Sequence, residues 1–488
     1  MNKPIRMMSI LCMLLFAALL VNATYLQYFR ASSLDSRNDN KRVRDAEYSR
    51  HRGAIVVAGK QIAKSVPVHD HYKYLRTYPQ PRRYAQVTGY YSYVYGRNAI
   101  ELTQNDILSG SDPRLFVNRI QDLLGNAAPE GGSVSLTIDP KAQAAAANGL
   151  AALGAHTEGA VAAIDPTTGK ILALASAPTY DPNRLSSHHF DKVQKAWDQL
   201  THNPKSPLVD RAIQRTYPPG STFKLVTAAA ALSSGQYTPN SIVKAGPSLD
   251  LPLTTTDLVN ENGTDCGGPR ITLTQALVVS CNVSFGSLGM HLGGDVLRQQ
   301  AQKFGFGQTY LQGLNGQVPS RFPKHLNAPQ TALSAIGQYD VAATPLQMAM
   351  VAAGIADGGT VMRPYLVDEV RAPDLSVLDK TEPEPFRSNV VSSTVAHELT
   401  QMMIAVVDHG TGTTAQIPGM KVAGKTGTAQ SEPSRPPYAW FVSFAPADDP
   451  KVAVAVLVED AGVDRNAISG SGLAAPIAKK VMEAVIGK

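Results

Sequence analysis

The sequence predicts an α+β protein in three parts: an N-terminal membrane anchor, a small module, and a larger domain whose central antiparallel sheet is flanked by helices. Three observations carry that expectation. One uncharged run near the N-terminus is long enough to cross a bilayer. A Pro129, Gly131, Gly132 cluster divides the rest near residue 130. Beyond it, strand-like runs come from both ends of the remaining chain with helical segments between them. The expected parts are residues 1–30, 31–130 and 131–488.

The first part is justified by charge and length. Lys3 and Arg6 precede an uncharged stretch from Met7 to Phe29 that begins MMSILCMLLFAALLV and stops at Arg30. A bilayer core needs about 20 such residues. Positive charge before the run predicts that the N-terminus stays inside and the rest of the chain lies outside. A cleaved signal peptide is the competing reading, because Val21-Asn22-Ala23 has the small-residue pattern of a cleavage site. The uncharged stretch continues past Ala23, which favours an anchor, and either reading exports the chain. Net charge is +6, but residues 1–130 carry 18 Lys and Arg against 10 Asp and Glu, while residues 131–488 carry 27 against 29. The basic character therefore belongs to the N-terminal quarter. Export makes nucleic acid an unsuitable partner for it, although tyrosines there alternate with Arg82, Arg83 and Arg97.

The second part opens with SSLDSRNDNKRVRDAEYSRHRG, polar and poor in apolar residues, which reads as a connector outside the core. Between Gly53 and Ala128, short apolar runs such as AIVVAG and eight of the 18 tyrosines, Tyr72 to Tyr95, suggest the strands and loops of a small non-catalytic module. The third part begins with VSLTID, a strand, followed by the alanine-rich helix PKAQAAAANGLAALG. GAVAAIDPTTGKILALASAP reads as a hairpin with its turn at Pro166 to Gly169. Helices follow in STFKLVTAAAAL and in PLQMAMVAAGIA, the latter capped by Thr344. KVAGKTGTAQ, AWFVSFAPA and KVAVAVLVED are three more strands, and GLAAPIAKKVMEAVIG closes the chain as an amphipathic helix with Leu473, Ile477 and Val481 four apart.

The candidate chemistry lies in three short motifs. Ser221-Thr222-Phe223-Lys224 follows the turn Tyr217-Pro218-Pro219-Gly220 and opens a helix, so the lysine amine falls on the same face as the hydroxyl and can serve as its base. The helix N-terminus adds backbone N–H groups suited to an oxyanion. A second match, Ser241-Ile242-Val243-Lys244, lies in extended chain, where residues three apart face opposite ways, and is rejected. Ser280-Cys281-Asn282 pairs a hydroxyl with an amide two residues on. The same pattern at Ser36-Arg37-Asn38 in the connector shows that the triplet alone is common. Lys425-Thr426-Gly427-Thr428 sits on a strand, with Lys425 and Gly427 pointing one way. The glycine is expected to leave room for a substrate against the backbone, and a peptide could add to such a strand edge.

In this order and context the motifs resemble those of the penicilloyl serine transferase superfamily. The resemblance is greatest to class B penicillin-binding proteins, the monofunctional D,D-transpeptidases of bacterial cell-wall synthesis, and especially to their actinobacterial members. It spans nearly the whole chain, through the anchor, Arg52-Gly53, GAVAAIDPTTGKILALASAPTYDPN, DRAIQRTYPPGSTFK, GQYDVAATPLQMA and VAGKTGTAQ. It implies a non-catalytic pedestal before a penicillin-binding domain. It also implies Ser221 as the acylated nucleophile, Lys224 as its base, Ser280 as a proton relay and Asn282 as a holder of the substrate amide. Lys425 would set the charge around Ser280, Thr426 would bind the substrate carboxylate, and Thr428 would give an oxyanion-hole N–H beside that of Ser221. The implied partners are stem peptides ending in D-Ala-D-Ala, beta-lactams as covalent inhibitors, the cytoplasmic membrane, and division or elongation proteins. No metal or organic cofactor is expected.

Cys266 and Cys281 are the only cysteines beyond the membrane run. A disulfide between them would stiffen the loop TTTDLVNENGTDCGGPR; two free thiols are the alternative. Among other functions, a class A beta-lactamase is disfavoured by the anchor, the extra module and the long interval from Ser280 to Lys425. A bifunctional glycosyltransferase lacks space before residue 131. A D,D-carboxypeptidase would use the same residues with water as acceptor. A beta-lactam sensor would need a route to cytoplasmic signalling, yet only six residues precede the membrane run, and the intact motif set favours activity over a silent scaffold.

Overall fold

The structure, a computed structural model, describes residues 3–30, 41–115, 130–252, 254–431 and 435–488. The connector triplet Ser36-Arg37-Asn38 lies outside the described residues. Helix α1 (Lys3–Thr24) runs on through a π-helical turn at Tyr25–Phe29, making one apolar helix of 27 residues, none of them buried. Its length and composition suffice to cross a membrane.

The connector is not wholly outside the core. Its helix α2 (Lys41–Tyr48) ends on Tyr48, which is buried, stacks on Tyr91 at 4.2 Å and donates its hydroxyl hydrogen bond to the Ser92 carbonyl. Four residues later Arg52 is also buried. A count of apolar residues missed both, because one is buried as an aromatic polar at its tip and the other as an ion. Strands β1 (Ile55–Val57), β2 (Lys60–Pro67) and β3 (Tyr74–Thr77) follow, then helix α3 (Pro81–Thr88) with Pro81 at its first position. The Tyr-rich segment thus contains a helix as well as strands and loops. Glu101 binds this region together: its carboxylate oxygens lie 2.7 Å from Arg52 Nε and 2.7 Å from Arg76 Nε, and Tyr78 donates to it at 3.0 Å. Burial alone would push this carboxyl up, but Arg76 and Arg52 outweigh it and hold the group below the usual carboxylate range.

Strand β4 (Ser133–Leu136) runs parallel to β1. Asp139 then caps α4 (Pro140–Ala152), accepting from the Lys141 and Ala142 N–H groups. The hairpin β5 (Glu158–Ile164) and β6 (Ile171–Ala177) comes next, then α5 (Phe190–Thr201), whose Phe190 and Trp197 stack on Tyr93 and Tyr95. Those tyrosines serve as packing against later chain. Helix α6 (Lys224–Ser233) is buried along almost its whole length, and α7 (Leu273–Val278) and α8 (Asn282–Leu292) follow. Helix α9 (Pro345–Ala356) is capped by the Thr344 hydroxyl, which accepts from Gln347 N–H at 3.1 Å. Strands β7 (Val367–Arg371) and β8 (Val377–Lys380) return to the first sheet, giving the order β8-β7-β4-β1-β2-β3.

After α10 (Ser393–His409), strands β9 (Ala423–Ala429), β10 (Tyr438–Ala445) and β11 (Val452–Asp460) complete a five-stranded antiparallel sheet in the order β9-β10-β11-β5-β6. Helix α11 (Ala475–Ile486) closes the described chain. Both faces of this sheet are covered, so its inner strands β5, β10 and β11 are largely apolar on both faces. Alternate residues of β11 divide between them: Ala453, Ala455 and Leu457 join the core that holds α6 and α9, while Val454, Val456 and Val458 pack with α4 and α11. The hairpin from early chain and the three strands from late chain therefore meet in one sheet, with β9 on its edge.

Candidate active site

The nucleophile candidate sits on a short 3-10 turn, Gly220–Phe223, leading into α6. Several contacts fix that turn. Gly220 N–H donates to Gly337 O at 3.0 Å, Tyr217 exchanges main-chain bonds with Ala343, and Trp440 Nε1 donates to Pro218 O at 2.9 Å. Gly337 has φ +72 and lies so near that a Cβ would come within 2.3 Å of the Gly220 carbonyl. The GQYDVAATP stretch thus braces the serine turn by close backbone approach.

Lys224, three residues on, is fully buried. Its Nζ donates to the Ser280 carbonyl at 2.7 Å and to Asn282 Oδ1 at 2.8 Å, and lies 3.2 Å from Ser280 Oγ. Burial, then the neighbouring Lys425, push this amine well below its ordinary range, and Glu261 opposes them. A neutral amine keeps two N–H donors and one lone pair. The two nearer partners accept only, so they can take both donors and leave the lone pair free as a base. Ser221 Oγ makes no hydrogen bond among the described residues.

Ser280 links the two lysines: its Oγ lies 2.9 Å from Lys425 Nζ as well as 3.2 Å from Lys224 Nζ. It occupies the tight link between α7 and α8 with φ +59, a left-handed conformation that costs a serine about 1 kcal/mol or more. Lys425 is fully buried on β9, and burial lowers it to about 7, with Glu261 acting in the opposite sense. The rejected copy, Ser241 to Lys244, has Ile242–Lys244 in a short strand with Ile242 and Lys244 exposed.

Strand β9 places the rest. Lys425 Nζ also donates to Thr426 O at 2.9 Å. Antiparallel pairing alternates bonded and open residues, so the main-chain groups of Thr426 and Thr428 lie on the free edge of the sheet. Thr426 Oγ1 is 2.6 Å from Thr411 Oγ1. Gly427 departs from expectation. A Cβ there would meet Thr222 Cγ2 at 2.9 Å, Pro219 O at 3.1 Å and Trp440 Cβ at 3.1 Å. The space assigned to a substrate is filled by the serine turn, so the missing side chain lets β9 lie against that turn.

Two further residues of the site belong to no motif. Asn260, buried in the loop beside the site, accepts from Asn282 N–H at 2.9 Å and Val283 N–H at 3.0 Å, and donates to the Gly246 and Thr264 carbonyls at 2.7 Å each. It caps α8 from 22 residues away, in place of Cys281, whose side chain supplies no cap. Glu261, next in sequence, is the carboxylate that acts on both lysines. No spacing rule singles out either residue in the run Asn260-Glu261-Asn262. In the same loop Cys266 and Cys281 are joined by a disulfide, with Cα atoms 5.7 Å apart.

Comparison with known proteins agrees with this geometry. The Penicillin binding protein transpeptidase domain matches residues 159–483, and the Penicillin binding protein A dimerisation domain matches residues 52–134. The chain is similar to the peptidoglycan D,D-transpeptidase PbpA of Mycolicibacterium smegmatis, 44% identical over 492 residues that cover 100% of this chain and 99% of that one. PbpA of Mycobacterium tuberculosis H37Rv is likewise 44% identical, over 100% of this chain and 99% of its own. The M. tuberculosis penicillin-binding protein A structure, a penicillin G acyl-enzyme complex, superimposes with a TM-score of 0.84 at 44% identity, covering 90% of this chain and 100% of the other. A D,D-transpeptidase domain from Eggerthella lenta gives 0.76 at 33% identity, covering 90% and 99%. With two buried lysine amines meeting at one serine hydroxyl beside a second serine on a helix start, and with these relatives along its length, the chain belongs to the class B penicillin-binding protein transpeptidases.

Proposed function

We propose that the protein is a peptidoglycan D,D-transpeptidase that cross-links stem peptides through an acyl-enzyme on Ser221 and is acylated by beta-lactams. The observation that carries this reading is the convergence of Lys224 and Lys425 on Ser280 Oγ, at 3.2 and 2.9 Å, beside the turn that bears Ser221. A peptide ending in D-Ala-D-Ala adds along the free edge of β9. Lys224 takes the Ser221 proton as Oγ attacks the penultimate D-Ala carbonyl, and the oxyanion rests against the N–H groups of Ser221 and Thr428. Ser280 passes a proton to the departing D-Ala amine, and the C–N bond breaks to leave the ester on Ser221. An amine from a neighbouring stem then attacks this ester, its proton returns through the same groups, and Ser221 is regenerated as the new amide forms. Lys425 sets the charge around Ser280, Asn282 holds the substrate amide, and Thr426 with Thr428 receives the terminal carboxylate.

Residues 1–30 hold the chain in the cytoplasmic membrane, residues 31–130 form the pedestal, and residues 131–488 form the extracytoplasmic transpeptidase unit. Growth or division proteins are the partners proposed for the pedestal. A labelled penicillin should acylate the wild-type protein and not Ser221→Ala; equal labelling of both defeats the assignment. Paired stem peptides should yield a cross-linked dimer. D-Ala release with no dimer would make the protein a carboxypeptidase.

A further inference from the structure

The five-stranded sheet has a second edge, β6, at the side opposite to the β9 edge of the active site. Four strand spacings separate them, about 19 Å. The β6 edge is partly closed. Gln143 of α4 mimics a strand there: Leu174 N–H donates to its Oε1 at 2.8 Å, and its Nε2 donates to Leu174 O at 2.9 Å. Two residues on, Ser176 pairs with Ala160 in the same register that pairs Leu174 with Ala162. Alternation therefore turns the Ser176 N–H and C=O outward, as at Leu174. Neither of these main-chain groups finds a partner among the described residues.

This open position faces a cavity of about 430 Å3 between β6, α3 and α4, a size that suits a small ligand or a short peptide segment. Its lining includes Ala147, Ala151 and Pro178, which supply apolar surface, and Arg82 and Arg83, which supply charge. Arg83 donates to Gln80 Oε1 at 2.6 Å, and neither arginine is in an ion pair among the described residues. Both sit in the first turn of α3, which contains no acidic residue. The helix dipole is positive at that end, so the two guanidinium groups add to the local potential and do not offset it.

We infer that this cleft is a docking site for an extended acidic peptide segment of a partner protein. The segment adds to β6 through the Ser176 N–H and C=O and places carboxylates on Arg82 and Arg83. One open main-chain position at the end of an otherwise closed strand edge, beside a helix, with apolar walls and uncompensated arginines, suits short strand addition by an acidic segment. A small anion would use the arginines and leave the edge and walls empty. The cleft bridges α3, within the dimerisation-domain match, and β6, within the transpeptidase match. An occupant would therefore touch both.

The test uses the full chain in detergent and fluorescence anisotropy. The probe is a labelled hexapeptide of alternating valine and glutamate, with two companions: the lysine analogue, and the glutamate peptide N-methylated at alternate residues. The glutamate peptide should saturate with a Kd of about 10 to 100 μM. Arg82→Glu with Arg83→Glu should weaken it about tenfold or more, while penicillin acylation stays unchanged. The lysine and N-methylated peptides should bind at least as poorly. Any one of three results overturns the proposal: no binding to about 1 mM, equal binding by the N-methylated peptide to wild-type protein, or displacement of the probe by an equal concentration of inorganic phosphate.

Discussion

Replacing Asn260 by alanine separates an anchored site from a merely intact fold. The side chain makes four hydrogen bonds, and those to Val283 N–H and the Gly246 carbonyl are shut away from water. Each of the two sealed groups left without a partner costs about 1 to 2 kcal/mol, the Val283 N–H being itself part of the helix cap, so Asn260→Ala should destabilise by about 2 to 4 kcal/mol. The effect on chemistry is larger than that loss suggests. Asn282, whose N–H Asn260 holds, carries the Oδ1 that accepts from Lys224 Nζ at 2.8 Å. A displacement of about 1 Å at a reacting group can cost about a hundredfold, and the second-order constant for acylation by a labelled penicillin should fall by that order. Asn260→Asp tells positioning from stability. Its carboxylate still accepts both N–H groups at the positive end of α8, but it cannot donate to Gly246 and Thr264. It should lose stability while keeping part of the acylation rate. Acylation within about a factor of two of wild type by Asn260→Ala, folded by circular dichroism, refutes this positioning role.

Three further outcomes are expected. Burial holds Lys224 well below its ordinary range and Lys425 at about 7 against 10.5, so the unfolded chain binds more protons across that window and stability should rise with pH from about 7 to 10.5. Thermal unfolding against pH should show this slope reduced in Lys425→Gln. That variant also removes the positive neighbour of Lys224, which should carry the acid limb of the acylation profile to higher pH; an unmoved limb refutes the coupling. Gly427→Ala puts a Cβ 2.9 Å from Thr222 Cγ2, which should cost about 1 to 3 kcal/mol and displace the Ser221 turn, read as lost acylation in folded protein. Glu101→Gln leaves Arg52 and Arg76 without their buried counterion and should cost about 3 to 5 kcal/mol by denaturant titration, while the folded fraction still acylates.

What could be seen in the sequence, and what could not, follows from the range of the interactions involved. Local context was enough to choose Ser221 over Ser241, because a helix start and an extended run differ within a few residues, and the short strand at Ile242–Lys244 bears that out. Turn chemistry and period were likewise enough for the β5–β6 hairpin, the capped α9 and the amphipathic α11. The parallel pairing of β1 with β4 leaves no local mark, since each strand brings only a few residues and the partner is far along the chain. Glu101 and Asn260 are invisible for a similar reason: a single glutamate in a helix or asparagine in a turn is ordinary until its partners are known. At Gly427 the sequence suggests room for a substrate and the structure puts the serine turn there, because strand alternation predicts a direction and says nothing about what waits there. The same limit governs the catalytic set. Ser280 and Lys425 lie 145 residues apart in the chain and 2.9 Å apart in space. Only closure of the sheet by its late strands brings β9 against the α7–α8 link. The chemistry is written in short motifs, but it becomes available only when the long-range pairing is complete, so substitutions that loosen β9 from β10 should silence Ser221 without touching any motif.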